Sequence, residues 1–360
     1  MNVAIVAHNY DLGEGTGGYT AQILPRIAEE HDVTLYAAQV LAPIPPGVRW
    51  VRVPALRSRG YATILTFPAA FAAVRRRHDL VHAQGWVTSG ADVVTAHYVL
   101  AAWRRIASAW DVPTPRGERW FGGYVERREA RLYRRGCRIV IAPSHGVRED
   151  LARHYGRTDG VAVVPHGFQP PPTTLDPATA RARWNLPSRD VVALWIGDAR
   201  KGLRTAIDAV GGVHGVRLLV ATHASPAPYL AGARRAGCPD RVHWAGYVNP
   251  PWPAYAAADI LLYPTIYDPF GLVVAEAMSA GVAPIVTRAA GVAELLRHGS
   301  SGWLLDKPSV ADTVAGLAAL RDDPALLRRL REGARAAAAR RTWDDVARET
   351  LVAYKDAARP

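Results

Sequence analysis

The sequence predicts an α/β fold of two domains, each a parallel sheet with helices on its faces, and three observations carry that prediction. The chain has 360 residues, more than a single core of ordinary size uses. Short apolar, β-branched runs alternate with helical stretches from one end to the other, the pattern of parallel sheets. That alternation pauses once, in the proline-rich stretch Gly167-Phe168-Gln169-Pro170-Pro171-Pro172-Thr173-Thr174, which has no periodicity and reads as a linker.

In the first half, strands are expected at Val3–His8, Asp32–Ala38, Val48–Pro54, Leu80–Gln84, Asp92–His97, Arg138–Pro143 and Val161–Val164. In the second half they are expected at Val191–Ile196, Val216–Ala221, Arg241–Ala245, Ile260–Pro264 and Val282–Thr287. Several are apolar throughout, as strands buried on both faces are. Helical patterns such as Gly202–Val210 and Gly271–Ala280 lie between them. Gly15-Thr16-Gly17-Gly18-Tyr19 follows the first strand and precedes a helix; glycine there lets a backbone approach a ligand closely. The boundaries that follow are 1–167 and 168–342, two Rossmann-like domains. Ligands of open α/β sheets bind beyond the carboxyl ends of the strands, so two such sheets facing each other predict a central cleft.

Hydrophobic residues are 49% and charged residues 21% of the chain, which excludes a disordered composition. The net charge of +12 admits nucleic acid, an anionic membrane surface or an acidic substrate as partner. Only Lys201, Lys307 and Lys355 are lysines among the 44 basic residues, so a general bias toward arginine accounts for the charge equally well. Cys137 and Cys238 stand far apart and outside any metal-spaced cluster, as reduced thiols do. No signal-peptide pattern opens the chain and no apolar run approaches the ~20 residues of a membrane span. A cytoplasmic protein is expected. Arg116–Arg135 holds seven arginines and three glutamates interleaved with Trp120, Phe121, Tyr124 and Tyr133. It reads either as an exposed helix with one apolar face on the core, or as a surface that docks anionic lipid at the inner face of a membrane or a polyanionic acceptor.

The densest chemical signal runs from Tyr263 to Gly281. A buried strand enters a turn holding Asp268, Pro269 and Gly271, then a helix. That layout places backbone N–H groups of Gly271, Leu272 and Val273 at a helix N-terminus, a site suited to a diphosphate. Asp268 and Glu276 beside it make poor phosphate ligands and good acceptors for sugar and ribose hydroxyls. Taken singly, each also reads as a helix cap or a first-turn acid.

The segment resembles the signature of retaining glycosyltransferases of family 4, which have the two-domain GT-B fold. The family pattern of a Glu, a Phe-Gly pair and a second Glu eight residues after the first appears here as Asp268, Phe270-Gly271 and Glu276, with Asp in place of the first Glu. Leu194 to Leu203, with Gly197, Arg200 and Lys201, resembles the region that supplies cations to the donor diphosphate. Arg241 to Tyr247 resembles the strand and glycine turn that read the nucleotide base. Gly291–Leu296, Gly302–Leu305, Ala142–Ser144 and Val163–Gly167 resemble further family segments, and His97 stands where the family often keeps a histidine near the transferred sugar.

The resemblance implies a donor domain at 168–342, an acceptor-side domain at 1–167 and a final helix, within 343–360, folded back onto the latter. It implies a UDP- or GDP-sugar donor, held at Gly17, Gly18, Gly197, Tyr247, Phe270, Gly271, Leu272 and Val273. Arg200 and Lys201 would hold the diphosphate, Glu276 the ribose, and Asp268 and His97 the sugar. Cofactor and metal are expected to be absent, because cations and helix N–H groups stand where other transferases place a divalent ion and no Asp-x-Asp motif is present. Transfer would retain anomeric configuration by front-face attack, since no carboxylate nucleophile is evident. The acceptor is open: lipid, polysaccharide or small molecule. The rival readings are a nucleotide-sugar epimerase of the same architecture and a basic nucleic-acid-binding protein. The second leaves Asp268 to Glu276 unexplained.

Overall fold

The computed structural model describes residues 1–13, 15–56, 61–172 and 175–358, so Thr173 and Thr174 of the linker stretch lie outside the described residues. The chain divides into two compact units, one of Met1–Gly167 joined by the stretch from Trp343 onward, the other Phe168–Thr342.

The first unit is built on β1 (Asn2–Val6), β2 (Asn9–Tyr10), β3 (Asp32–Ala37), β4 (Gln39–Val40), β5 (Arg49–Arg52), β6 (Leu80–Gln84), β7 (Val93–Thr95), β8 (Ile139–Ala142) and β9 (Val161–Val163). Seven of these form a sheet in the order β5-β3-β1-β6-β7-β8-β9, while β2 and β4 pair separately. Every pairing is parallel. Its helices are α1 (Gly15–Ala28), α2 (Tyr61–Val74), α3 (Leu100–Ala109), α4 (Arg116–Arg135) and α5 (His145–Tyr155). α5 shows how local chemistry sets an element's ends. The Ser144 side chain accepts from Val147 N at its start, and Gly156 closes it in the left-handed region at φ 64°, a conformation that glycine adopts without cost.

The second unit has β10 (Val191–Ile196), β11 (Val216–Ala221), β12 (Val242–Gly246), β13 (Ile260–Tyr263), β14 (Ala283–Thr287) and β15 (Trp303–Leu305). They form one parallel sheet in the order β12-β11-β10-β13-β14-β15. Its helices are α6 (Pro177–Ala182), α7 (Leu203–Gly211), α8 (Ala227–Arg235), α9 (Trp252–Ala257), α10 (Leu272–Ser279), α11 (Val310–Asp322) and α12 (Pro324–Ala338). Both faces of the sheet are buried. Val192, Leu194 and Ile196 enter one core, and Ala193 and Trp195 the other, which is why β10 reads as an unbroken apolar run. The last helix, α13 (Trp343–Ala358), belongs to the first unit. It packs on α1 and β8, and Arg26 pairs with Asp344 while Arg138 Nη1 donates to the Ala357 carbonyl.

Some sequence expectations shift. The strand expected at Asp92–His97 is only Val93–Thr95, because Asp92 turns its carboxylate to Val81 N and His97 N bonds back to the Thr95 carbonyl in a turn. The strand expected at Arg241–Ala245 begins one residue later. Arg241 ends a 3₁₀ turn, where its guanidinium gathers the carbonyls of Val210, Val213 and Gly211. Gly17 and Gly18 do not lie in an open turn. They sit in the first turn of α1.

Candidate active site

Strand order places the site of the second unit. From β10 the chain steps outward through β11 to β12, then returns to β13 and steps the other way through β14 to β15. The loops leaving β10 and β13 therefore part at the boundary between two neighbouring strands, the crevice where open α/β sheets bind ligands. Gly197–Gly202 leaves β10 and Pro264–Gly271 leaves β13.

The two loops are tied together. Lys201 Nζ donates to Asp268 Oδ2 at 2.7 Å, and Tyr263 OH donates to the same oxygen at 2.8 Å. Phe270 N donates to Asp268 Oδ1 at 3.2 Å. Asp268 is buried, so these donors replace the water that a carboxylate needs. Gly202 approaches the Pro264 carbonyl so closely that any Cβ would be driven into it, and it holds φ 90°. Gly202 and Gly271 (φ 96°) occupy the N-cap positions of α7 and α10, and neither helix has a side-chain cap. Two uncapped helix starts thus flank one ion pair, an arrangement whose N–H dipoles favour an anion.

The other cation takes a different partner. Arg200 grips Asp198, with Nε 3.0 Å and Nη2 2.7 Å from Oδ2. Burial works to raise the Asp198 carboxyl, but the side-chain and backbone hydrogen bonds from Arg200 and its charge outweigh that and lower its pKa. Lys201 and Asp268 are therefore brought together, while Arg200 is engaged with the residue just after Gly197. Glu276 lies on the same helix as the uncapped start. Tyr255 OH, from α9, donates to Glu276 Oε2 at 2.7 Å. Burial raises the Glu276 pKa to about 7, against the lowering effect of that hydrogen bond. Tyr247 stands elsewhere, beyond β12, half exposed and stacked on His223 with ring centroids 3.7 Å apart. Both follow the outer strands β11 and β12 rather than the switch point.

In the first unit His97 lies beyond the end of β7, half-buried, with Nε2 2.8 Å from Gln84 Oε1. Tyr19 meets its ring edge-on at 4.7 Å. Burial lowers its pKa to about 3, so the ring is neutral at physiological pH. Gly17 serves packing: a Cβ there would lie 2.9 Å from the Asp11 carbonyl. The backbone it lets close is the protein's own. Gly18 is less confined, its nearest such contact being 3.5 Å.

The family model "Glycosyl transferases group 1" matches residues 178–337, and "Glycosyltransferase Family 4" matches residues 14–170. A D-inositol 3-phosphate glycosyltransferase of Xylanimonas cellulosilytica is 31% identical over an alignment covering 87% of this chain and 83% of that protein. The chain is a group 1, family 4 glycosyltransferase. Solved structures agree on its GT-B fold. Sucrose-phosphate synthase from Thermosynechococcus elongatus matches with TM-score 0.81 at 21% identity over 98% of both chains. Anabaena HepE in complex with UDP-glucose matches with TM-score 0.75 at 17% identity over 99% of both.

Sequence reasoning about this glycosyltransferase missed Tyr255, Gln84, Asp198 as a partner for Arg200, and His223. Tyr255 lies 21 positions before Glu276, on another helix, and no local pattern links them. Gln84 had a readable signal, a polar amide closing the strand Leu80–Gln84, which is buried along its whole length. Among the described residues, no cluster of three or more His, Cys, Asp or Glu is placed to hold a metal ion, and no helix is long and apolar enough to cross a membrane.

Proposed function

We propose that this glycosyltransferase moves a sugar, with retention of configuration and without a resident metal, from a nucleoside-diphosphate sugar to a hydroxyl acceptor. The observation that carries the reading is the Lys201–Asp268 pair set between the uncapped starts of α7 and α10 at the β10/β13 boundary. A diphosphate fits that place. The helix starts supply N–H donors, and Lys201 supplies the cation that answers the charge growing as the glycosidic bond breaks. Arg200 joins it by exchanging Asp198 for phosphate. Leu272 and Val273 lend backbone N–H groups, Glu276 takes the ribose hydroxyls, Asp268 takes the sugar, and His97 accepts from a sugar hydroxyl. In front-face attack the departing phosphate oxygen receives the acceptor's proton. A UDP-sugar is the first donor to test, because the HepE structure of like fold holds UDP-glucose. D-inositol 3-phosphate, for which the Xylanimonas cellulosilytica glycosyltransferase is named, belongs in the acceptor panel.

The test is single-turnover transfer by Lys201→Ala and Arg200→Ala. Loss of a cation that acts mainly in the transition state raises the barrier by roughly 2–4 kcal/mol with a smaller change in donor affinity. Undiminished transfer in both variants, or activity abolished by EDTA and restored by magnesium, overturns the reading.

A second property rests on α4. Its three glutamates all turn toward neighbouring elements. Glu118 accepts from Trp103 Nε1, Glu126 pairs with Arg104, and Glu129 accepts from Leu100 N. The outer face keeps Arg116, Arg119, Arg127 and Arg131 exposed, with Trp120 80%, Phe121 46% and Tyr124 46% exposed among them. Cations without interleaved acids beside exposed aromatic rings match an anionic membrane surface, and peripheral contact with one is the reading we favour. Co-sedimentation with phosphatidylglycerol vesicles, lost in Trp120→Ala/Arg127→Glu and at high salt, is expected. Equal sedimentation with neutral phosphatidylcholine vesicles counts against it.

A further inference from the structure

A buried polar chain starts at His97 and runs away from it through the first unit. His97 Nε2 lies 2.8 Å from Gln84 Oε1, and Gln84 Nε2 lies 3.3 Å from His82 Nε2. His82 Nε2 is also 2.8 Å from Thr95 Oγ1, and its Nδ1 is 2.8 Å from the hydroxyl of Tyr354 on α13. His82 and Thr95 are wholly buried and Gln84 is 2% exposed, so water cannot substitute for the links beyond His97.

The chain has a direction. Burial keeps both imidazoles neutral at physiological pH, with pKa values lowered to about 3, so each carries one N–H. An amide oxygen only accepts. With Gln84 Oε1 toward His97, the His97 proton sits on Nε2. The one lone pair of the bare His82 Nε2 then takes the Thr95 hydroxyl at 2.8 Å, with the Gln84 amide N–H a longer second donor at 3.3 Å, and the His82 proton sits on Nδ1 facing Tyr354. The chain turned over as a whole, with the amide flipped, the His82 proton on Nε2 and the His97 proton on Nδ1, would also satisfy every link. The amide orientation, with Gln84 Oε1 2.8 Å from His97 Nε2, selects the first arrangement, and the tautomer measurement below decides between the two. Tyr19 and His166 hold the His97 ring from other sides, at centroid distances of 4.7 and 5.9 Å, so tautomer and orientation are set together.

We propose that Gln84 is the positioning residue of His97: its amide oxygen, anchored through His82 to Tyr354, keeps the His97 proton on Nε2 and leaves Nδ1 as a lone-pair acceptor for a sugar hydroxyl. This deepens the reading above and rests on the contact between His97 and the donor sugar. A ring with the proton on Nδ1 would donate to that hydroxyl's oxygen instead, and would leave the hydroxyl's own proton to find another acceptor.

Long-range ¹⁵N–¹H correlation of the histidine side chains in the full-length protein tests the tautomer directly, with the His97 signal assigned by its loss in His97→Asn. Expected is a single Nε2–H tautomer that does not titrate from about pH 5 to 8, the range of an ordinary histidine. In Gln84→Met, His97 should become a tautomer mixture and kcat/KM for the donor should fall by roughly tenfold, the worth of one hydrogen bond. Tyr354→Phe, at the far end, should give a smaller shift of the same kind. A wild-type His97 protonated on Nδ1, or a tautomer unmoved by either variant, overturns the positioning role whatever the activity. Undiminished transfer by His97→Ala overturns instead the sugar contact on which it rests.

Discussion

Glu129 in the first unit and Glu276 in the second carry the same electrostatic mark. Burial raises each to a pKa of about 7, and each accepts from a tyrosine hydroxyl, Tyr155 or Tyr255. Their surroundings differ. Glu129 is 6% exposed and also accepts from Leu100 N, so it ties α4 to the start of α3 and to α5. Glu276 is only half-buried and stands on the helix whose uncapped start meets the Lys201–Asp268 pair. A perturbed carboxyl is therefore no sign of function by itself. What separates the two is whether a ligand can reach the group, and what else converges there.

The sharpest way to break that comparison is to remove each acid in turn. Glu129→Ala leaves the buried Leu100 N–H and Tyr155 hydroxyl without their acceptor, at roughly 1–3 kcal/mol each. Denaturant unfolding should show a loss of about 2–6 kcal/mol, with nucleoside diphosphate affinity intact. If Glu129→Ala instead weakens binding and spares stability, the roles are wrongly divided. Glu276→Gln should do the reverse, costing about 1.5–3 kcal/mol of UDP or GDP binding by calorimetry, the worth of a hydrogen bond to a charged acceptor. Glu129→Gln, with its acceptor geometry kept, should bind like the wild type.

Proton linkage gives a finer measure. Ribose hydroxyls donate, so they favour the ionised form of Glu276 and pull its pKa down from about 7. Nucleoside diphosphate affinity should then strengthen as pH rises toward about 7 and level off above it, by at most about tenfold per pH unit, and Glu276→Gln should lose that share of the dependence. Global stability should move the opposite way. Both acids hold their protons more tightly folded than unfolded, so their contribution is fullest below the ordinary carboxylate range and is lost as pH rises toward about 7. Each Gln variant should flatten its own part of that decline. A decline unchanged in both would show that neither carboxyl holds its proton as described.

Much of this was legible in the residues themselves. Leu80–Gln84, Val191–Ile196 and Val216–Ala221 are strands residue for residue as their apolar runs require, because a strand covered on both faces has no alternative pattern. The pair β2–β4 was invisible, since two residues per strand leave no period to read. The loop between β13 and α10 was recognisable from Asp268, Phe270-Gly271 and Glu276, which are contiguous. The partners that set the state of its acids were not. Tyr255 reaches Glu276 from a different helix, and Arg200 closes on Asp198 two residues away where motif reasoning pointed it only at phosphate.

Helix α13 gives the two units different histories during synthesis. The second unit is one continuous stretch, Phe168–Thr342, and can complete its sheet as soon as it leaves the ribosome. The strands of the first also lie in one stretch, residues 2–163, but its packing is finished only by α13, where Tyr354 meets His82, 272 residues earlier, and Asp344 meets Arg26. Until α13 docks, the completed first sheet and α1 leave the surface that helix covers exposed to solvent.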